Sequence, residues 1–354
     1  MDIVATRGEL FSKKNSFSKI KDVKTNLRYG DLTKCKLPQV AVIMPVYNRP
    51  HFFRKSLASV IDQDYRAPFE IIVIDNYDKG NNSPNETIVK EMNKGNVFYY
   101  HNEKNIGLNG SCNRGIELAR AEYVTFCHDD DMFFPWTLSR LMALQKQAGD
   151  KCIISKYVTI DTHDSIIIPA NFPRLKNGGH LIEKDHVNYS LFDQFLASGG
   201  LLIASLFKRR NLIEIGGFNE DFEPVSDYAL QATYTHFYGC VMNNLPSFQY
   251  RVGINASMHL YQQFADAQKN IQMEITKKIW LPNFLLRPII RTRYNIVRIH
   301  SEITFGNAAP NKWNELSKKD VFIKKMCHIY EKFKMFKINN HKTPPPRNKH
   351  TLLP

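Results

Sequence analysis

The chain has 354 residues, 43% hydrophobic and 23% charged, enough for one large α/β domain with a smaller appendage and a real buried core. Its formal net charge of +14 sits at the two ends: residues 1–38 hold nine Lys/Arg against four Asp/Glu, and residues 311–350 hold eleven against three. Neither end has the Arg–aromatic or Gly-rich patterning of a nucleic-acid module, so nucleic acid is set aside; an anionic membrane surface, an anionic lipid-linked substrate and plain solvated charge stay open as readings.

In chain order, QVAVIMPV at 39–46 is a continuous apolar run rich in β-branched residues, the pattern of a strand buried on both faces. Phe52, Phe53, Leu57, Val60 and Ile61 then recur at helical spacing over 51–62. A second buried strand reads at 69–75, a helix at 85–94, a strand at 96–101, a helix from Asn109 to Arg120 and a fourth strand at 121–127. This alternation predicts a mostly parallel α/β sheet, in which ligands bind beyond the carboxyl ends of the strands. Those ends carry Tyr47-Asn48, Asp75-Asn76, His101-Asn102 and the run His128-Asp129-Asp130-Asp131.

Farther along, a helix at 135–147 leads to a strand at 151–160, loops over 161–190 and an apolar stretch at 191–207 broken by Gly199-Gly200. Gly216-Gly217 make a tight turn before an amphipathic helix, with Ser226 or Asp227 as its N-cap. From about residue 268 the segments are long, cationic and amphipathic, and three consecutive prolines mark the last dozen residues as a disordered tail. The expected organisation is a basic N-terminal extension (1–38), a catalytic domain (39–265), a helical basic extension (266–340) and a tail (341–354). The N-terminus has no apolar leader pattern and no run of 18 apolar residues occurs, so the expected location is the cytoplasm, with peripheral contact to the inner face of the cell membrane as its variant. The six cysteines are irregularly spaced, several in apolar runs, and read as buried thiols.

Three adjacent carboxylates after a buried strand repel one another and lose hydration together. A divalent cation among them removes that penalty, and hard carboxylate oxygens suit Mg²⁺ or Mn²⁺, ions that also bridge phosphates. The alternative is a solvated acidic turn capping the next helix.

The pieces PVYNRPHFFRKSLASVIDQ at 45–63, IIVIDN at 71–76, NIGLNGSCNRGIELARAEYVTFCHDDD at 105–131, and GGF followed by SDYAL at 216–230 appear in the order of a family 2 glycosyltransferase, which the chain resembles over about residues 39–240. The resemblance implies the GT-A fold, a Rossmann-like α/β architecture, here with a C-terminal helical extension. It implies inverting transfer of a sugar from a nucleotide-diphosphate donor, UDP-linked, to a hydroxyl of a glycan or lipid-linked acceptor in a bacterial surface polysaccharide or lipopolysaccharide. It places Mn²⁺ or Mg²⁺ at a DxD-type element among Asp129, Asp130 and Asp131, with His128 where the family has Asp, so the ligating pair is open. Asp129 and Asp130 also face the nucleotide in this reading. Asp75 matches the nucleobase contact, and Pro45 and Tyr47 the nucleotide-facing first loop.

Asn105 and Gly107 frame a loop where backbone can approach ligand, and Arg114 can offset diphosphate charge. Asp227 matches the family's general base; Ser226 stands where many relatives have a second acid, and a helix N-terminus is expected to hold its carboxylate and lower its pKa. Glu220, Asp221 and Glu223 are nearby substitutes for the base, Asp221 the alternative among them. His259 matches a downstream metal or diphosphate ligand. A nucleotidyltransferase is the rival enzyme, but the early Gly-rich loop it needs is missing; a non-catalytic sugar-nucleotide or anionic-surface binding protein is the rival from another class.

Overall fold

The apolar runs of the first half become one six-stranded sheet. Its strands are β1 (Thr25–Tyr29), β2 (Val40–Val46), β3 (Phe69–Asp75), β4 (Val97–Asn102) and β5 (Tyr123–Phe126), linked from β2 onward by α1 (Pro50–Ile61), α2 (Pro84–Met92) and α3 (Gly107–Leu118). There follow β6 (Met132–Phe133), α4 (Thr137–Ala148), β7 (Cys152–Ile160), β8 (Ile166–Ile167), β9 (His186–Asn188), α5 (Leu191–Ala197), β10 (Phe207–Lys208) and α6 (Arg209–Glu214). The chain continues through α7 (Ser226–Tyr238), β11 (Cys240–Arg251), α8 (Tyr261–Thr276), α9 (Asn283–Thr304) and α10 (Lys318–Phe336). This computed structural model describes residues 9–34, 36–80, 82–167, 186–197, 201–254, 260–304 and 310–336.

The first sheet has the order β1-β4-β3-β2-β5-β10; its four central strands are parallel and β1 and β10 are antiparallel edges. A second sheet, β6-β11-β7-β8 with β9 on β11, continues from it. Strand periodicity sorts the core. Val40, Val42 and Met44 face Phe53, Leu57 and Val60 of α1, while Ala41 and Ile43 face Cys112 and Ile116 of α3. Gly115 lets α3 lie close to β2, since a Cβ there would sit 2.3 Å from Ile43 Cγ2.

The N-terminal residues behave differently from a free basic arm. Residues 25–29 add a strand to the sheet, and Lys13, Lys14 and Lys19 pair with Glu214, Asp221 and Glu220. The Gly216-Gly217 turn exists to let this strap pass. Gly216 has φ +91°, and a Cβ on it would collide with the Lys14 carbonyl. At the other end, Ile271, Ile275, Leu286 and Ile290 of α8 and α9 share a core cluster with Leu10, Phe195, Val225 and Tyr228. Thus the boundaries expected at 38 and 265 are crossed by a strand pairing and by buried packing. Cys112, Cys127, Cys152 and Cys240 are buried free thiols, as their apolar settings predict. No described helix is long and apolar enough to cross a membrane.

Candidate active site

The parallel strands deliver their polar ends to one edge, where the chain leaves β5 for β6. There His128, Asp130 and Asp131 present ligand atoms that all lie within 4.8 Å of one another. The three aspartates are nearly inaccessible, at 7%, 5% and 1% exposure for Asp129, Asp130 and Asp131. Their partners divide them. Asp129 Oδ2 accepts the Tyr47 amide at 3.1 Å, and Arg49 Nη1 reaches Asp129 Oδ1 at 3.3 Å and Asp130 Oδ2 at 2.6 Å. Asp131 Oδ1 accepts the Arg251 amide at 2.9 Å, but its Oδ2 has no hydrogen-bond partner among the described residues and lies 3.9 Å from His128 Nδ1.

Burial above all, with the charge of Asp130 next, pushes the Asp129 carboxyl up to about 7 and that of Asp131 well above the ordinary range. Burial also lowers the His128 pKa, leaving a neutral imidazole able to ligate. An unsatisfied buried carboxylate oxygen, a second carboxylate and a neutral imidazole whose Nε2 is likewise unpartnered fit a divalent cation. The ligand group this geometry offers is therefore His128, Asp130 and Asp131. Asp129 differs in that both of its oxygens already accept, from Arg49 and from the Tyr47 amide, whereas Arg49 engages one oxygen of Asp130. His259 lies outside the described residues.

Two arginines that the sequence reading passed over build this site. Arg49 follows Asn48, whose φ of +52° turns the chain at the β2 end, and its guanidinium ties Asp129 and Asp130 to the Ile254 carbonyl. Arg251 is wholly buried. Its Nε donates to the Asp130 carbonyl at 2.8 Å, Nη1 to the Asp161 carbonyl at 2.6 Å, and Nη2 pairs with Asp164. Arg49 sat inside a quoted motif, so its position was legible; Arg251 comes from β11 and carried no local signal.

The other expected residues sort as follows. Pro45 is the penultimate residue of β2, opposite Ile74, and Tyr47 is 38% exposed with its hydroxyl donating to Asp78. Asp75 is 0% exposed and accepts four hydrogen bonds: the Tyr77 amide on Oδ1, and Ser83 Oγ, Asn85 Nδ2 and Tyr99 Oη on Oδ2. Its Oδ1 bond to the Tyr77 amide is an Asx-type turn at the strand end. Asn76 reaches across to the Gly107 carbonyl and the Ile106 amide and so fixes the Asn105–Gly107 loop. Asn105 Oδ1 accepts the Gly107 amide; Gly107 has φ +72° and open space before it. Arg114 donates to the Ile20 and Val23 carbonyls and pairs with Glu117, so it anchors the N-terminal strap.

Asp227 lies in the first turn of α7, whose N-cap is Val225, so neither Ser226 nor Asp227 caps the helix. Oδ1 of Asp227 accepts the Tyr228 amide at 2.8 Å. Burial outweighs the helix terminus and raises its pKa to about 6, opposite to the expected lowering. The Tyr250 phenol's pKa is raised by burial first and then by the charges of Asp131, Asp130, Tyr157 and Asp227. Asp221 is held low by Lys14 and Lys19 on the surface, whereas Glu223 accepts from Asn109, which also donates to Ser226.

A parallel sheet ending in a carboxylate–histidine group, with a second sheet folded beside it, defines a GT-A type α/β fold. Residues 41–206 match the model of the family described as Glycosyl transferase family 2. Among curated relatives, it is 27% identical over 186 residues to the GalNAc(5)-diNAcBac-PP-undecaprenol beta-1,3-glucosyltransferase of Campylobacter jejuni (52% of this chain, 56% of that protein). It is 27% identical over 194 residues to the Staphylococcus aureus poly(ribitol-phosphate) beta-N-acetylglucosaminyltransferase TarP (53% and 55%). The alignments span about half the length of these relatives. In fold it is similar to S. aureus TarS solved with UDP-GlcNAc, with a TM-score of 0.54 at 15% identity, covering 84% of this chain and 81% of that one.

Proposed function

We propose that the protein is an inverting glycosyltransferase that moves a sugar from a UDP-linked donor to a hydroxyl of a glycan or lipid-linked acceptor during assembly of a surface polysaccharide. The observation that carries this reading is a cation-fitting group, His128, Asp130 and Asp131, in a chain that also offers a carboxylate of raised pKa, Asp227. A cation held by that group supplies positive charge against the donor diphosphate, and a set mixing carboxylates with imidazole favours Mn²⁺ over Mg²⁺, which prefers oxygen ligands. Arg49 adds a guanidinium at the same edge.

Asp227, ionised above about pH 6, accepts the acceptor hydroxyl proton. The freed oxygen forms its bond to the anomeric carbon from the face opposite the diphosphate, whose oxygen departs with the bonding pair. Tyr47 and the open space before Gly107 border the nucleotide side. Asp75, fully buried with donors on both oxygens, braces the 76–85 loop from beneath that side. A UDP donor is supported by the UDP-GlcNAc in TarS, and a lipid-linked or polyol-phosphate acceptor by the names of the relatives.

The test is a panel of sugar nucleotides, each with and without Mn²⁺, read first by thermal stabilisation and then by nucleotide diphosphate release. Mn²⁺-dependent stabilisation by a UDP-sugar, lost in Asp130→Asn, is expected. Stabilisation without turnover on any acceptor would favour a binding protein.

A further inference from the structure

Helices α8 and α9 form a hairpin whose inner stripe, Ile271, Ile275, Leu286 and Ile290, is buried. Its tip is the reverse. Trp280 is 97% exposed, Phe284 71% and Leu285 49%, with Leu281 exposed beside them. A soluble surface seldom leaves an indole, a phenyl ring and two leucines together in water without a use for them. Cations surround the group: Lys277, Lys278, Arg287 and Arg291 are all exposed. Phe284, Arg287 and Arg291 recur at helical spacing, so apolar and cationic side chains share one outward stripe of α9. Lys277 pairs with Glu274 and Lys278 lies over the Phe11 ring, but no described carboxylate pairs with Arg287 or Arg291. A protein partner generally meets mixed charge, whereas a ring of cations around aromatic and leucine side chains complements a continuous sheet of anions over hydrocarbon.

We propose that the α8–α9 tip is a wedge that seats the protein on an anionic bilayer. Trp280, Leu281, Phe284 and Leu285 enter the headgroup–acyl boundary, and Arg287, Arg291 and the two lysines lie at phosphate level. The wedge is in-plane, since no described helix is long and apolar enough to cross. It stands independently of the transferase reading, and its test uses neither donor nor acceptor.

Full-length protein is mixed with vesicles of phosphatidylcholine alone or phosphatidylcholine with phosphatidylglycerol, at low and high salt. Trp280 is the exposed one of three tryptophans, the other two being half-buried, so its emission reports the contact. The expected result is co-sedimentation with the anionic vesicles, weakened by salt, with a blue shift of that emission. Trp280→Ser with Phe284→Ser lowers the apparent affinity by about tenfold or more. Arg287→Gln with Arg291→Gln lowers it by about fivefold per cation. Both pairs are solvent-exposed, and unchanged circular dichroism confirms that they fold. Equal binding to the two vesicle types, unchanged binding by the Trp280/Phe284 variant, or a dimer in solution that this variant dissolves would each overturn the wedge.

Discussion

Asp75 at the end of β3 and Asp131 in the turn that follows β5 are about equally hidden, yet they have opposite electrostatic lives. Asp75 accepts four protein hydrogen bonds, so its buried charge is spread over fixed donors and the loop from 76 to 85 is pinned to β3. Asp131 has one amide on Oδ1 and none on Oδ2, beside two more carboxylates. Burial alone therefore does not distinguish a structural carboxylate from a reactive one. The count of donors does, because an under-satisfied buried carboxylate keeps a high free energy that a ligand or proton can relieve. Asp227, with the Tyr228 amide and a pKa near 6, falls on the Asp131 side of that line.

The largest effect follows from Asp227. Asp227→Asn is expected to lower transfer by about 10²–10⁴-fold while leaving Mn²⁺- and nucleotide-dependent stabilisation intact. For the unsubstituted protein, kcat/KM should climb as pH rises through about 6, because the base works only when ionised. Transfer retained by the Asn variant would move the base elsewhere, Glu223 being next to hand through Asn109.

Asp75→Ala comes second. It strands the donors of Ser83, Asn85 and Tyr99 in the interior, and urea unfolding should show a loss of about 3 kcal/mol or more. A loss below about 1 kcal/mol would erase the distinction between the two aspartates.

Asp131→Asn should have the opposite sign. In metal-free protein near pH 7 it removes a poorly solvated charge and raises stability by about 1–3 kcal/mol. The native carboxyl is raised above its unfolded value, so the native state binds more protons and its stability falls as pH rises from about 4 toward neutrality. The gain should therefore shrink toward about pH 4, where the native group is already neutral. The same variant should lose Mn²⁺-dependent stabilisation. Destabilisation at every pH would mean that Asp131 is structural like Asp75.

Much of this was written locally. Continuous apolar runs and helical spacing located the parallel strands and their connecting helices within one or two residues, and the carboxyl-end rule put 128–131 at the candidate site's edge. Partners distant in sequence were not legible. Arg251 joins the cluster from 120 residues away, on a strand whose Asn243, Asn244 and Pro246 break the alternation and shift its register. Arg114 looked like a free cation on a helix because the carbonyls it holds lie over 90 residues upstream. His128 read as a departure from the acidic pattern, and its place in the ligand group appears only once the turn folds its ring toward Asp131.

The smallest effect concerns Asp221, the alternative base. It stands six residues before Asp227 and on sequence alone was a fair substitute, but its donors put it with Asp75. Lys14 and Lys19 hold it in the ionised state below its ordinary range, on a surface where such pairs contribute about 0–1 kcal/mol. A carboxylate so neutralised is a poor proton acceptor and faces the N-terminal strap. Asp221→Asn should cost less than about 1 kcal/mol in urea and leave transfer within about twofold. Raised salt should mimic its small stability loss, since screening weakens the same two pairs. A drop in transfer comparable to that of Asp227→Asn would show that a carboxylate paired with lysines can still serve as the base, and donor count would then fail as a guide on this protein.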